Sequence, residues 1–173
     1  MKDVLITFDQ FLSKKNLTFE ATIIGGAALI VMGVIDRATK DVDCLDPHIP
    51  PDIKKASIEF AKANPHFKLI EHWLNNGPDS LKRDLGEGWR AGVEPIFEGK
   101  AMKLYTLGRL DLLKSKLFAC CDRDLDFNDC LALNPTSSEL DECIEWVIER
   151  DGSPLWPKRV DAVFKEIKKA MKK

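Results

Sequence analysis

A glycine pair set between two apolar runs constrains this chain more than any other feature. Phe19 to Ile24 is rich in aromatic and β-branched residues and reads as a buried strand ending at Gly25-Gly26. Ala27 to Val34 is apolar throughout and reads as a helix whose N-terminus faces that turn, with Gly33 as its stop signal. A strand, a glycine pair and a helix suit an anion. The first turn of a helix offers unpaired N–H groups, and glycine lets a phosphate approach the backbone. A tight turn without a ligand is the plainer reading of the pair alone.

Asp41 to Leu45 reads as a second strand, closed by Asp46-Pro47 and Pro50-Pro51. Side chains alternate along a strand, so Asp41 and Asp43 are expected on one face. Neighbouring carboxylates repel unless a cation compensates. Oxygen ligands beside a glycine turn suit Mg²⁺ (or Mn²⁺) and a nucleoside triphosphate. Arg37 and Lys40 could balance the charge instead. An exposed polar strand face, with Val42 and Leu45 turned inward on opposite sides, is the alternative.

The surrounding pattern predicts an α/β layout. Val4, Leu5, Phe8, Phe11 and Leu12 place a helix over residues 3–15. Pro51 opens another that runs to about Asn64. Residues 66–91 read as strand, loop and a short helix. Gly92 to Phe97 and Met102 to Thr106 form a hairpin around Glu98-Gly99-Lys100. From Gly108 the chain turns helical, first along Leu110, Leu112, Leu113, Leu117 and Phe118. Asp126 to Leu133 suits a short helix, Thr136-Ser137-Ser138-Glu139 is a capping box for a third, and Pro157 opens a last one. The expected organisation is an α/β core over 1–106 and an all-α part over 107–173, packed on the core.

At 173 residues the chain can bury a sizeable core. A net charge of −2 gives no global bias toward nucleic acid. The basic run Lys165, Lys168, Lys169, Lys172 and Lys173 reads as a solvated helix end. Cys44, Cys120, Cys121, Cys130 and Cys143 have neither zinc nor disulfide spacing. They read as small buried hydrophobes of a reducing compartment. With no apolar leader and no uncharged run of membrane-spanning length, a cytoplasmic location is expected.

Taken together, strand–Gly25-Gly26–helix followed by Arg37-x-Thr39-x-Asp41-x-Asp43 resembles the nucleotidyltransferase superfamily with the DNA polymerase β type fold. The interval from Gly26 to Asp41 is at the long end of that pattern. The wording Gly25-Gly26-Ala27-Ala28-Leu29 looks most like the branch of AbiEii-type toxins of bacterial toxin–antitoxin systems. A later lysine, arginine and aspartate pair also match, in Lys116, Arg123, Asp126 and Asp129. The resemblance implies a mixed β-sheet with flanking helices and transfer of an NMP from an NTP to a hydroxyl of an RNA, protein or small-molecule acceptor. A non-catalytic module of the same fold, binding nucleotide or a partner, is the alternative.

By that resemblance Asp41 and Asp43 hold the metal and serve catalysis. Gly25, Gly26, Arg37, Thr39, Lys116, Arg123 and Asp126 contact the nucleotide. Lys116 meets the triphosphate, and Asp129 assists catalysis. An antitoxin partner is also implied. Many relatives take a third carboxylate from a later strand. Glu94 is the first choice here, ahead of Glu98 and Glu71, and Asp129 is the substitute. Arg123, Asp126 and Asp129 equally suit an intrahelical ion-pair set and a cap. His48, His66 and His72 read as loop or surface residues. Trp73, Trp89, Trp146 and Trp156 read as core or junction fillers.

Overall fold

A computed structural model describes residues 1–77, 80–123 and 125–172. Lys173 of the basic run lies outside the described residues. The chain divides into two compact units, Met1–Leu107 and Gly108–Lys173.

The first unit is a mixed five-stranded sheet with flanking helices. It runs α1 (Lys2–Lys14), β1 (Phe19–Ile24), α2 (Gly25–Met32), β2 (Val42–Asp46), α3 (Pro51–Ala63), β3 (Leu74–Asn75), α4 (Leu81–Asp84), β4 (Glu94–Glu98) and β5 (Met102–Thr106). The strand order is β3-β2-β1-β5-β4. β1 pairs antiparallel with β2 and parallel with β5, and β4–β5 is the antiparallel hairpin.

Sequence explains most of these elements locally. Val4, Leu5, Phe8 and Leu12 form the buried stripe of α1. Pro51 starts α3 at its first turn, where a missing N–H costs nothing. Gly33 ends α2 in the left-handed region at φ 79°. Two boundaries beside the glycine pair differ from expectation. The helix after the glycine pair already begins at Gly25, and β2 begins at Val42, which leaves Asp41 just ahead of the strand. In β2 Val42, Cys44 and Leu45 are all buried, so the strand is covered on both faces.

Phe8 of α1, Phe60 of α3 and Trp73 before β3 meet in one aromatic cluster, with ring centroids 5.1–5.8 Å apart. Burying Phe8 and Phe60 completely contributes about 1.5–3 kcal/mol each. The Trp73 indole N–H donates to the Ser57 carbonyl, so its one polar atom is satisfied. Asp9, buried on α1, accepts the backbone N–H groups of Lys100, Ala101 and Met102 at 2.8–3.1 Å. It thus anchors the β4–β5 turn to the first helix.

The second unit consists of α5 (Arg109–Arg123), α6 (Phe127–Ala132), α7 (Ser137–Ile148) and α8 (Trp156–Ala170). α7 carries the expected capping box: Thr136 Oγ1 accepts the Glu139 N–H, and Glu139 accepts the Thr136 N–H. Trp156 is buried and donates its indole N–H to the Val147 carbonyl. Trp73 and Trp89 are buried as well, whereas Trp146 is only half-buried, under the Arg150 guanidinium. Among the described residues no helix is long and apolar enough to cross a membrane.

Candidate functional site

The candidate site of the first unit lies where β1 hands over to α2. Gly25 opens the helix at φ 74°, a conformation that a side chain resists. The residue before it, Ile24, has no side chain that can cap the helix. First-turn N–H groups therefore depend on some other acceptor.

Strand register brings Asp43 to this turn. Ile24 on β1 pairs with Asp43 on β2, so the carboxylate arrives where the helix begins. A methyl group at Gly25 would lie 2.8 Å from Asp43 Oδ2. On the other side β3 runs parallel to β2 and pairs Asn75 with Asp43. Gly77 follows, and a methyl there would lie 2.7 Å from Asp43 Oδ1 and 3.3 Å from Asn75 Oδ1. Two glycines thus bracket one half-buried carboxylate. Arg37 completes the rim, with Nη2 at 3.1 Å from where a Gly26 methyl would stand.

Asp41, one residue ahead of β2, accepts the Thr39 hydroxyl at 2.8 Å. The expected pair therefore splits between a strand residue and the loop residue just before it. At the far end of β2, Asp46 pairs with Lys82 and Arg90. Burial pushes its carboxyl up, but those two cations hold it below the usual aspartate range.

Glu94 does not join the two aspartates. It is exposed on β4, and β1 and β5 stand between that strand and β2. Three strand spacings put the backbones about 14 Å apart, too far for one ion. Glu98 is paired with Lys103 on the same hairpin, and Glu71 is exposed. Among the described residues no three His, Cys, Asp or Glu side chains gather to hold a metal. His48, His66 and His72 are all exposed.

Asn75 and Gly77 were not legible as site residues. The strand that carries Asn75 is two residues long and gives no periodicity, and Gly77 lies just beyond it. The one available signal was the turn-forming run Asn75-Asn76-Gly77. Asn76 fixes that run in place. Its amide nitrogen donates to the Cys44 and Pro47 carbonyls, and its oxygen accepts the Ile49 N–H.

In the second unit the matched polar residues form a cluster of their own. Lys116 on α5 is 4% exposed and donates to Asp129 at 2.8 Å and to Asp126 at 3.2 Å. Asp126 precedes α6 with φ 65° and makes no side-chain cap; its carboxylate turns to Lys116 instead. Arg123 stands 3.9 Å from Asp126, exposed at the end of α5. The Lys116 ammonium is not presented as an open cation for a triphosphate, because two carboxylates already hold it out of water. The Asp129 carboxylate is engaged in the same ion pair.

A family model described as a nucleotidyltransferase of unknown function (DUF6036) matches residues 2–134. The chain belongs to that family. No curated protein and no solved structure matches it. The mixed sheet with flanking helices agrees with a nucleotidyltransferase fold. The match covers the first unit from Lys2 onward together with α5 and α6 of the second, so both polar clusters fall inside the nucleotidyltransferase region.

Proposed function

We propose that the chain is a divalent-metal-dependent nucleotidyltransferase that moves an NMP from an NTP to a hydroxyl of an RNA, protein or small-molecule acceptor. The observation that carries this reading is the approach of Asp43 to the first residue of α2, with Arg37 over Gly26. Hard oxygen donors meet there a helix start that the Ile24 side chain does not cap. The glycine-lined cradle around Asp43 fits Mg²⁺ or Mn²⁺ with Asp41 and Asp43 as the charged ligands.

A bound cation would neutralise the triphosphate and lower the pKa of the attacking hydroxyl. The protein's own task is placement. Backbone N–H groups at Gly25 and Gly26 receive phosphate oxygens, and Arg37 balances their charge. Asp41, oriented by Thr39, and Asp43 keep the acidic wall in register. The acceptor oxygen bonds to the α-phosphorus, the bond to pyrophosphate breaks, and the hydroxyl proton leaves to solvent. Such chemistry rests on positioning and electrostatics.

The test is incubation with each labelled NTP and Mg²⁺ or Mn²⁺, for native protein and for Asp41→Ala plus Asp43→Ala. Metal-dependent binding or transfer, lost in the double variant, is expected. Absence of both with every NTP would overturn the reading.

The resemblance to AbiEii-type toxins extends the proposal to a toxin with an antitoxin partner. Growth arrest on induction, relieved by the same double variant, is the expected outcome; unimpaired growth would sink that extension.

A second reading has one observation in its favour, the lack of a third acidic side chain among the described residues at the site. Here the chain is a non-catalytic nucleotide- or partner-binding module. Nucleotide affinity indifferent to Mg²⁺ would select it.

A further inference from the structure

We infer that Asn75 supplies the third oxygen of this site, an amide where the family resemblance implies a carboxylate, and that the site therefore holds its cation tightly only together with a nucleotide. The inference rests on the metal-dependent reading above.

Three features support it. Asn75 and Asp43 are register partners on parallel neighbouring strands, so their side chains share a face of the sheet. Their Oδ1 atoms lie 3.3 and 2.7 Å from where a methyl group on Gly77 would stand, so both border the space that this glycine leaves. One cation binding oxygens at about 2.0–2.6 Å can touch both. Finally, the strand that carries Glu94 is at the opposite edge of the sheet, so Glu94 does not compete for this position.

The chemistry follows from ligand charge. Cation affinity rises with the number of anionic ligands. A site of two carboxylates and one neutral amide attracts a divalent ion weakly by itself. Phosphate oxygens of an arriving nucleotide add the missing negative charge. An aspartate at position 75 would reverse this, holding the ion without nucleotide and repelling Asp43 when the ion is absent.

The experiment titrates Mn²⁺ by electron paramagnetic resonance, with and without ATP, into native protein, Asn75→Asp, Asn75→Ala and Asp43→Asn. Thermal melting of each variant reports folding. Native protein is expected to bind Mn²⁺ at least tenfold more tightly with ATP present. Asn75→Asp is expected to gain at least tenfold in affinity without ATP and to melt lower until Mn²⁺ is added. Asn75→Ala should lose about tenfold in the presence of ATP. If Asp43→Asn abolishes binding while both position-75 variants stay within twofold of native, the role of Asn75 is refuted and the metal site stands. If native protein and Asp43→Asn behave alike, the metal-dependent reading itself falls.

Discussion

Gly25 and Gly26 are adjacent in the chain, yet a methyl group at each meets a different obstacle. At Gly25 it would strain a positive φ and strike the carboxylate of Asp43, which the sheet holds in place. Gly25→Ala is expected to cost about 1–3 kcal/mol in urea denaturation. At Gly26 the neighbour is the far end of the exposed Arg37 side chain, which can swing aside. Gly26→Ala should leave stability within about 1 kcal/mol and instead weaken ATP binding, read by calorimetry. The sequence marked both glycines, but only the strand register separates their tasks. Asn75 and Gly77 escaped notice because two residues carry no alternation. Glu94 was misplaced for another reason: its hairpin is a local pattern, whereas sheet order depends on which strands meet at long range.

Local codes were the most legible at the scale of single elements. The capping box of α7 is an example, since its partners are three residues apart in the chain. Its strength has a pH signature. The Arg109 guanidinium, followed by the Thr136 N–H, holds the Glu139 carboxyl down at about 2, against 4.5 for an ordinary glutamate. A lowered folded value contributes stability above pH 4.5 and loses it as pH falls toward 2. Acid melting should therefore be less steep for Glu139→Gln than for native protein across that window. The joint between α5 and α6 rests on Lys116. Lys116→Ala leaves two inward carboxylates without their cation and should cost about 3–5 kcal/mol in denaturant. That loss is expected with or without nucleotide, which separates holding a fold from binding a phosphate. The resemblance gave Lys116 a triphosphate contact but could not show that two carboxylates already pair with it inside the helical unit.

Across the whole chain all five cysteines are buried and none forms a disulfide. Burial pushes the Cys143 thiol up to about 11, so it is protonated and unreactive at neutral pH. A thiol reagent should modify none of the five quickly in native protein and all five in denaturant; rapid labelling of the folded chain would contradict the packing. Odd number and spacing made this readable in advance. The pairing of β1 was not readable, since β5 is distant in sequence. Phe19 pairs with Met102 and Thr22 with Tyr105, while Asp9 waits for the N–H groups of Lys100 to Met102. A ribosome releases β1 long before it releases β5. Until then one edge of what becomes the sheet's middle strand has its hydrogen-bonding groups open to any other nascent chain. Recovery of soluble protein should consequently depend on how quickly residues up to Thr106 emerge, and slowing translation between β1 and β5 would favour aggregates over folded product.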